Sequence, residues 1–250
     1  ALTVTTAMAQ LLADRHRGVG CDQLVVLKPS QKADVMMQIF NADGSEISTC
    51  GNASRCVADI IMGERNVAQA TIETKTGMLV GVRADDGGVT VNMGAPKWEW
   101  RDIPLAESRN TLHLGLAQGL LMDPVAVNMG NPHAVFFVHD LAHIKMAEWG
   151  AKLEHDPLFS ERANISAVQV IKPDHIKMLV WERGTGLTLA CGSAACAAVV
   201  AGVRRELTER KVTVDLPGGT LAIEWQQGQG AGEVMMTGAV AYVFEGEISL

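Results

Sequence analysis

Aromatic residues are scarce in this 250-residue chain, 4% of the total with a single tyrosine, and no basic run or aromatic-studded basic stripe occurs. A nucleic-acid groove needs such a footprint, so no nucleic-acid partner is expected. No apolar stretch approaches the length of a bilayer span, so no membrane partner is expected either. The opening residues, Ala1 to Arg17, lack a basic leader before an apolar core and include Asp14, so they do not read as a signal peptide. A disulfide framework is missing too: five cysteines are an odd, sparse set, which favours reduced thiols and a cytoplasmic location. They form no Cys-x-x-Cys pair, which argues against a thiol redox protein. The formal charge of −7, from 21 basic and 28 acidic residues, spreads along a chain long enough for one large domain or two smaller ones.

Against these absences stand two matching segments. Cys50 opens Cys50-Gly51-Asn52-Ala53, and Cys191 opens Cys191-Gly192-Ser193-Ala194, each at the start of a predicted helix. A thiol there meets free backbone N–H groups and the helix dipole, which favour its thiolate and also hold a carboxylate. Two such ends facing one small anion would set a base and an acid on opposite faces of a carbon.

The cysteines belong to a longer internal repeat. Each is followed by a helix (about 52–62 and 193–204) and three alternating strands (71–74, 77–82 and 89–94; 211–215, 219–223 and 233–238). The offsets between cysteines, 191 − 50 = 141, and between closing glycines, 238 − 94 = 144, differ by only one short insertion. The second helix is apolar all round and must be buried, and its small side chains suit the centre of a curved sheet. The fold class expected is α+β: two halves, each a curved sheet or barrel around a central helix with its cysteine at the mouth. The halves are placed at 1–112 and 113–240, with a linker near 110–124 and a C-terminal strand over about 241–250 packing on the first half. The strand–turn–strand at 125–138 has no twin after Ala1, so the first half is expected to lack its opening strand.

Other residues group around the cysteine loops. Arg183 suits a carboxylate in bidentate fashion and Glu182 an ammonium, while Asn41, Asn131 and Asn164 offer neutral donors and acceptors. Together they fit an amino acid charged at both ends. Cys56 and Cys196, inside the predicted helices, and Cys21 read as packing residues. His139 and His143 lack a further placed ligand and read as surface. Gly18-Val19-Gly20 follows a helix, not a strand, and does not suit a dinucleotide.

The runs Asn41-Ala42-Asp43-Gly44-Ser45, Cys50-Gly51-Asn52-Ala53, Gly130-Asn131-Pro132-His133, Glu182-Arg183-Gly184 and Ala190-Cys191-Gly192-Ser193 resemble diaminopimelate epimerase, as does Arg15-His16-Arg17-Gly18-Val19-Gly20-Cys21-Asp22-Gln23. The resemblance implies a cofactor-independent isomerase of lysine and peptidoglycan precursor biosynthesis, built as two pseudo-symmetric halves with the active site in the cleft between them. Such an enzyme interconverts LL- and meso-2,6-diaminopimelate with two opposed cysteines, one thiolate base and one thiol acid. It implies Cys50 and Cys191 as the acid/base pair, and Gln23, Asn41, Asn131, Asn164, Glu182 and Arg183 as substrate contacts. Gly51-Asn52 and Gly192-Ser193 would hold the reacting carboxylate, with His133 in support. No metal is implied, the partner is the small-molecule substrate, and a homodimer is left open. The family's N-terminal Gly-Asn-Asp-Phe segment is absent, and Leu187 stands where the family often has glutamate. A proline or hydroxyproline racemase, or a non-catalytic binding protein on the same scaffold, remains as an alternative. Arg183 and the three asparagines favour a substrate with a second polar end, which cyclic amino acids lack.

Overall fold

The computed structural model describes residues 3–47, 50–75, 77–85 and 87–248. Thr49, which precedes the first cysteine motif, lies outside them. The chain divides into two compact units, Ala1–Val91 with Ala239–Leu250, and Asn92–Gly238.

The first unit opens with helix α1 (Thr6–Ala13), capped by Thr5, whose Oγ1 accepts from the Met8 N–H at 3.2 Å. Six strands and a second helix follow: β1 (Gln23–Lys28), β2 (Val35–Asn41), β3 (Glu46–Ile47), α2 (Gly51–Arg65), β4 (Gln69–Thr74), β5 (Gly77–Arg83) and β6 (Val89–Asn92). The sheet runs β1-β2-β4-β5-β6, with β3 paired to β2. All neighbours are antiparallel except β2 and β4, which are parallel and joined through α2. Alternation along β4 buries Ala70, Ile72 and Thr74 and leaves the intervening side chains outward. Gly81 of β5 lets α2 come close, because a Cβ there would lie 2.4 Å from that of Ala58. Asn66 ends α2 in the left-handed conformation, at φ 52°.

The second unit contains β7 (Ala117–Gln118), β8 (Leu121–Met122), β9 (Val125–Asn128), β10 (Pro132–Phe137), α3 (Met146–Glu154), β11 (Asn164–Lys172), β12 (His175–Glu182), β13 (Gly186–Thr188), α4 (Gly192–Arg204), β14 (Lys211–Leu216), β15 (Gly219–Trp225) and β16 (Val234–Gly238). Its main sheet runs β16-β15-β14-β12-β11-β10-β9, with β13 on β12, while β7 and β8 pair separately. Helix α4 fills one side of this sheet. Gly192 and every residue from Ala194 to Gly202 are buried, among Val135, Met178, Val180, Val214, Ile223 and Met236. Alanine, valine and glycine keep the helix thin enough for the sheet to curve round it. Helix α3 covers a second core with Ile103, Leu105, Leu114, Leu121, Phe136 and Ile165, so the chain between Asn92 and Val125 belongs to this unit.

The internal repeat is visible in the pairing. The series β1, β2, β3, α2, β4, β5, β6 matches β11, β12, β13, α4, β14, β15, β16 in order. In both, a helix joins two parallel strands (β2 and β4, β12 and β14), and an antiparallel meander follows. Each unit is thus a sheet around its own central helix, as the repeat predicts. Among the described residues no helix is long and apolar enough to cross a membrane.

Two expectations change. Cys56 is exposed rather than core, because α2 turns positions 56 and 63 outward while 53, 54, 57, 58, 61 and 62 are buried. Of the strand expected over about 241–250, the described residues form none: 239–248 have no regular secondary structure, and Tyr242, Val243 and Phe244 are exposed. His139 and His143 are exposed, as expected, beside a 3-10 turn capped by Asp140, which also pairs with His143 at 3.6 Å.

Candidate active site

The two cysteines share one backbone geometry. Cys50 stands at the N-cap of α2 with φ −147° and ψ 116°, and Cys191 at the N-cap of α4 with φ −141° and ψ 111°. Both are extended residues feeding straight into a helix. The first N–H groups of each helix belong to Gly51-Asn52 and Gly192-Ser193. Such ends attract anions through both hydrogen bonding and the helix dipole.

In the first unit the predicted residues gather at the end of β2. Gln23 and Asn41 face each other across β1 and β2, and Gln23 Nε2 donates to Asn41 Oδ1 at 3.3 Å. Asn41 Nδ2 donates to Ser45 Oγ at 3.3 Å, and the Asn41 N–H donates to Ser45 O at 2.9 Å, closing the loop that leads towards Cys50. Gly44 turns that loop at φ 79°. Asp43 accepts from the Ser45 hydroxyl and N–H, and the hydroxyl bond above all lowers its carboxyl pKa. Asn52 Oδ1 is buried with no hydrogen-bond partner among the described residues, an acceptor that a ligand's donor would satisfy.

The second unit collects the remaining set. His133 on β10 is fully buried and bonds through Nε2 to Asn131 Oδ1 at 2.8 Å. With that oxygen as acceptor, Nε2 carries the proton and Nδ1 keeps its lone pair, which is buried without a partner. Burial first, and the nearby Arg183 second, push the His133 pKa down to about 3, so the ring is neutral across the physiological range. Asn164, at the start of β11 and 3% exposed, donates through Nδ2 to Pro132 O at 3.0 Å and accepts the Arg183 N–H at 2.9 Å. Arg183 Nη1 donates to Glu161 O at 2.8 Å, and Thr188 Oγ1 donates to Glu182 Oε1 at 2.6 Å.

Cys191 is buried, with Sγ 3.5 Å from Ser193 Oγ. Its thiol pKa is raised, first by burial and then by the negative charge of Glu182; hydrogen bonds from Ser193 and the Ala194 N–H only partly oppose this. The lowering expected from a helix start therefore does not prevail at this site, because desolvation outweighs it. These influences favour the protonated thiol at Cys191.

Each unit thus gathers its own share of the predicted residues: Gln23 with Asn41 in the first, and Asn131, His133, Asn164, Glu182, Arg183, Cys191 and Ser193 in the second. Leu187 is exposed and carries no polar group to the site; Thr188 makes the hydrogen bond to Glu182 instead. Two residues here escaped the sequence reading. Thr188 lies inside the Glu182–Cys191 run and was within reach of it, whereas Glu154, whose carboxylate accepts from Trp181 Nε1 and the Gly184 N–H, sits in a helix without any motif.

The chain is similar to known proteins along most of its length. The family model for diaminopimelate epimerase matches residues 1–99 and 125–243. A diaminopimelate epimerase from Rhodospirillum centenum is 51% identical over 250 residues, covering 99% of this chain and 85% of the relative. One from Acidiphilium cryptum is also 51% identical, covering 99% and 88%. Among solved structures, a probable proline racemase from Agrobacterium radiobacter K84 has a TM-score of 0.71 at 14% identity, covering 98% of this chain and 81% of that one. A Bacillus anthracis phenazine biosynthesis protein of the PhzF family has a TM-score of 0.68 at 18% identity, covering 99% and 90%. These distant structures share the fold alone. With paired cysteine helices, a family model spanning nearly the whole sequence and relatives half-identical to it, the chain belongs to the diaminopimelate epimerase family.

Proposed function

We propose that the protein interconverts LL- and meso-2,6-diaminopimelate by moving the α-proton between Cys50 and Cys191. The observation that carries this reading is the matched pair of cysteines, each an extended N-cap on the central helix of a repeated unit. One thiolate removes the α-proton from one face of the carbon, and the opposite thiol returns a proton to the other face, inverting the centre. Burial and Glu182 favour the protonated thiol at Cys191, the form that donates a proton. After one turnover the two have exchanged roles, so they titrate as a coupled pair.

The α-proton of an amino acid is very weakly acidic, so the carbanion must be stabilised where it forms. In this reading the N–H groups of Gly51-Asn52 and Gly192-Ser193 bind the α-carboxylate and take up charge as it becomes enolate-like. Preorganised donors in a dry site act more strongly than water does. Arg183 then meets the distal carboxylate, Glu182 an ammonium, and Gln23, Asn41, Asn131 and Asn164 complete recognition. Neutral His133 holds Asn131 in place. The chemistry needs both thiols reduced, which supports a cytoplasmic setting.

Incubation with LL-diaminopimelate in deuterium oxide tests the proposal. The expected product is meso-diaminopimelate carrying solvent deuterium at the inverted α-carbon. No turnover of this substrate, together with turnover of proline or hydroxyproline, would overturn it.

A further inference from the structure

Glu154 closes α3 and is 3% exposed, yet it lies outside the residues assigned above to substrate. A buried carboxylate is costly unless its oxygens are occupied, and here three donors occupy them. Oε1 accepts from the Gly184 N–H at 2.9 Å and from Arg162 Nη1 at 3.1 Å, while Oε2 accepts from Trp181 Nε1 at 2.7 Å. Trp181 and Gly184 immediately flank Glu182-Arg183. The carboxylate therefore grips the chain on both sides of the two charged side chains offered to the substrate.

Packing reinforces the grip. Gly150 of α3 lies against Trp181, where a Cβ would come within 2.7 Å of the tryptophan Cβ. The other N–H groups of the loop are engaged as well: Arg183 N by Asn164, and Thr185 N by Glu182 O at 3.1 Å. Helix α3 thus adds an anchor to a loop also held by its own turn and strand pairing, by Asn164 and by the Arg183–Glu161 and Thr188–Glu182 bonds.

We propose that Glu154 is a positioning residue for the substrate's distal end: by holding Trp181 and Gly184 it fixes where Arg183 points. The proposal rests on the diaminopimelate reading above. Glu154 does not touch the substrate in this role; its effect passes through Arg183. Glutamine in its place keeps one acceptor oxygen but turns the other position into an amide donor. That donor must oppose either the indole N–H or the Gly184 N–H, so one side of the loop is released.

A double-mutant cycle tests this, with kcat and KM for LL-diaminopimelate measured in wild type, Glu154→Gln, Arg183→Ala and the double variant. Glu154→Gln is expected to raise KM about tenfold with kcat within about threefold of wild type, the pattern of lost ground-state binding. In the Arg183→Ala background the same change is expected to cost less than about twofold, because coupled residues are not additive. A loss of equal size in both backgrounds would mark Glu154 as merely structural and overturn the proposal. If Glu154→Gln fails to fold, Trp181→Phe removes the indole donor alone. It should give a smaller KM rise that also vanishes without Arg183, and persistence of that rise would count against the role equally. Wild-type protein without activity on LL-diaminopimelate would instead remove the functional reading beneath the proposal, so the two failures are distinct.

Discussion

Asn164→Ala cuts a side chain that ties the β10 turn to the Arg183 loop. Its amide is almost wholly buried and makes two bonds, to Pro132 O at 3.0 Å and from the Arg183 N–H at 2.9 Å. Truncation leaves a carbonyl and an N–H without partners, and each orphaned buried group costs about 1–3 kcal/mol. The carbonyl falls at the lower end because its second lone pair gives it another chance of satisfaction. The expected loss is therefore about 2–5 kcal/mol of unfolding free energy, a fall in Tm of roughly 5–15 °C for a protein of this size. Asn164→Asp separates the two arms. It keeps an oxygen for the Arg183 N–H but sets a second one against Pro132 O, so it should lose stability while disturbing KM less than alanine does. Urea unfolding, with KM for LL-diaminopimelate measured alongside, reads both quantities. An alanine variant within about 0.5 kcal/mol of wild type and with unchanged KM would refute the reasoning, since surface-like tolerance is incompatible with a buried two-way bridge.

Cys50→Ala and Cys191→Ala should each abolish epimerisation in both directions, because inversion requires a base and an acid at once; near-normal turnover in either variant would exclude the two-base scheme. Iodoacetamide should label exposed Cys56 in the native protein well before buried Cys191 and Cys196, and mass spectrometry of the digested protein gives the order. Cys196→Ala should cost about 1 kcal/mol or somewhat more by leaving a cavity beside α4, whereas Cys56→Ala should stay within about 0.5 kcal/mol, both read from urea midpoints. The His133 pKa lies at about 3 in the folded protein against its ordinary 6.5, so the unfolded chain binds the extra proton between these values. Stability should consequently fall as pH drops from 6.5 towards 3, by on the order of a few kcal/mol, and His133→Gln should flatten that part of the curve. An identical acid profile in the variant would show that this ring contributes nothing to the slope.

Much of the fold was legible along the chain because it rests on local, repeated signals. Small apolar residues after each Cys-Gly announced α2 and α4, and alternation announced the three strands behind each helix; the observed elements fall within a few residues of those expectations. The candidate chemistry was equally local, since Cys50, Cys191, Asn131-Pro132-His133 and Glu182-Arg183 sit in short runs where neighbours in sequence are neighbours in space. Whatever depended on contacts between distant segments needed the tertiary structure. The outward face of Cys56 is set by which side of α2 meets the sheet, a choice that its nearly apolar sequence leaves open. A helix start argues for an acidic Cys191, but burial and the charge of Glu182 reverse the sign, and burial is a property of the whole fold. Tyr242-Val243-Phe244 are strand-favouring residue types, yet a strand exists only where an edge accepts its hydrogen bonds. Glu154 is the extreme case. By itself it reads as an ordinary charged residue closing an amphipathic helix, and only packing α3 on Trp181 converts it into a buried acceptor for three donors from two other segments.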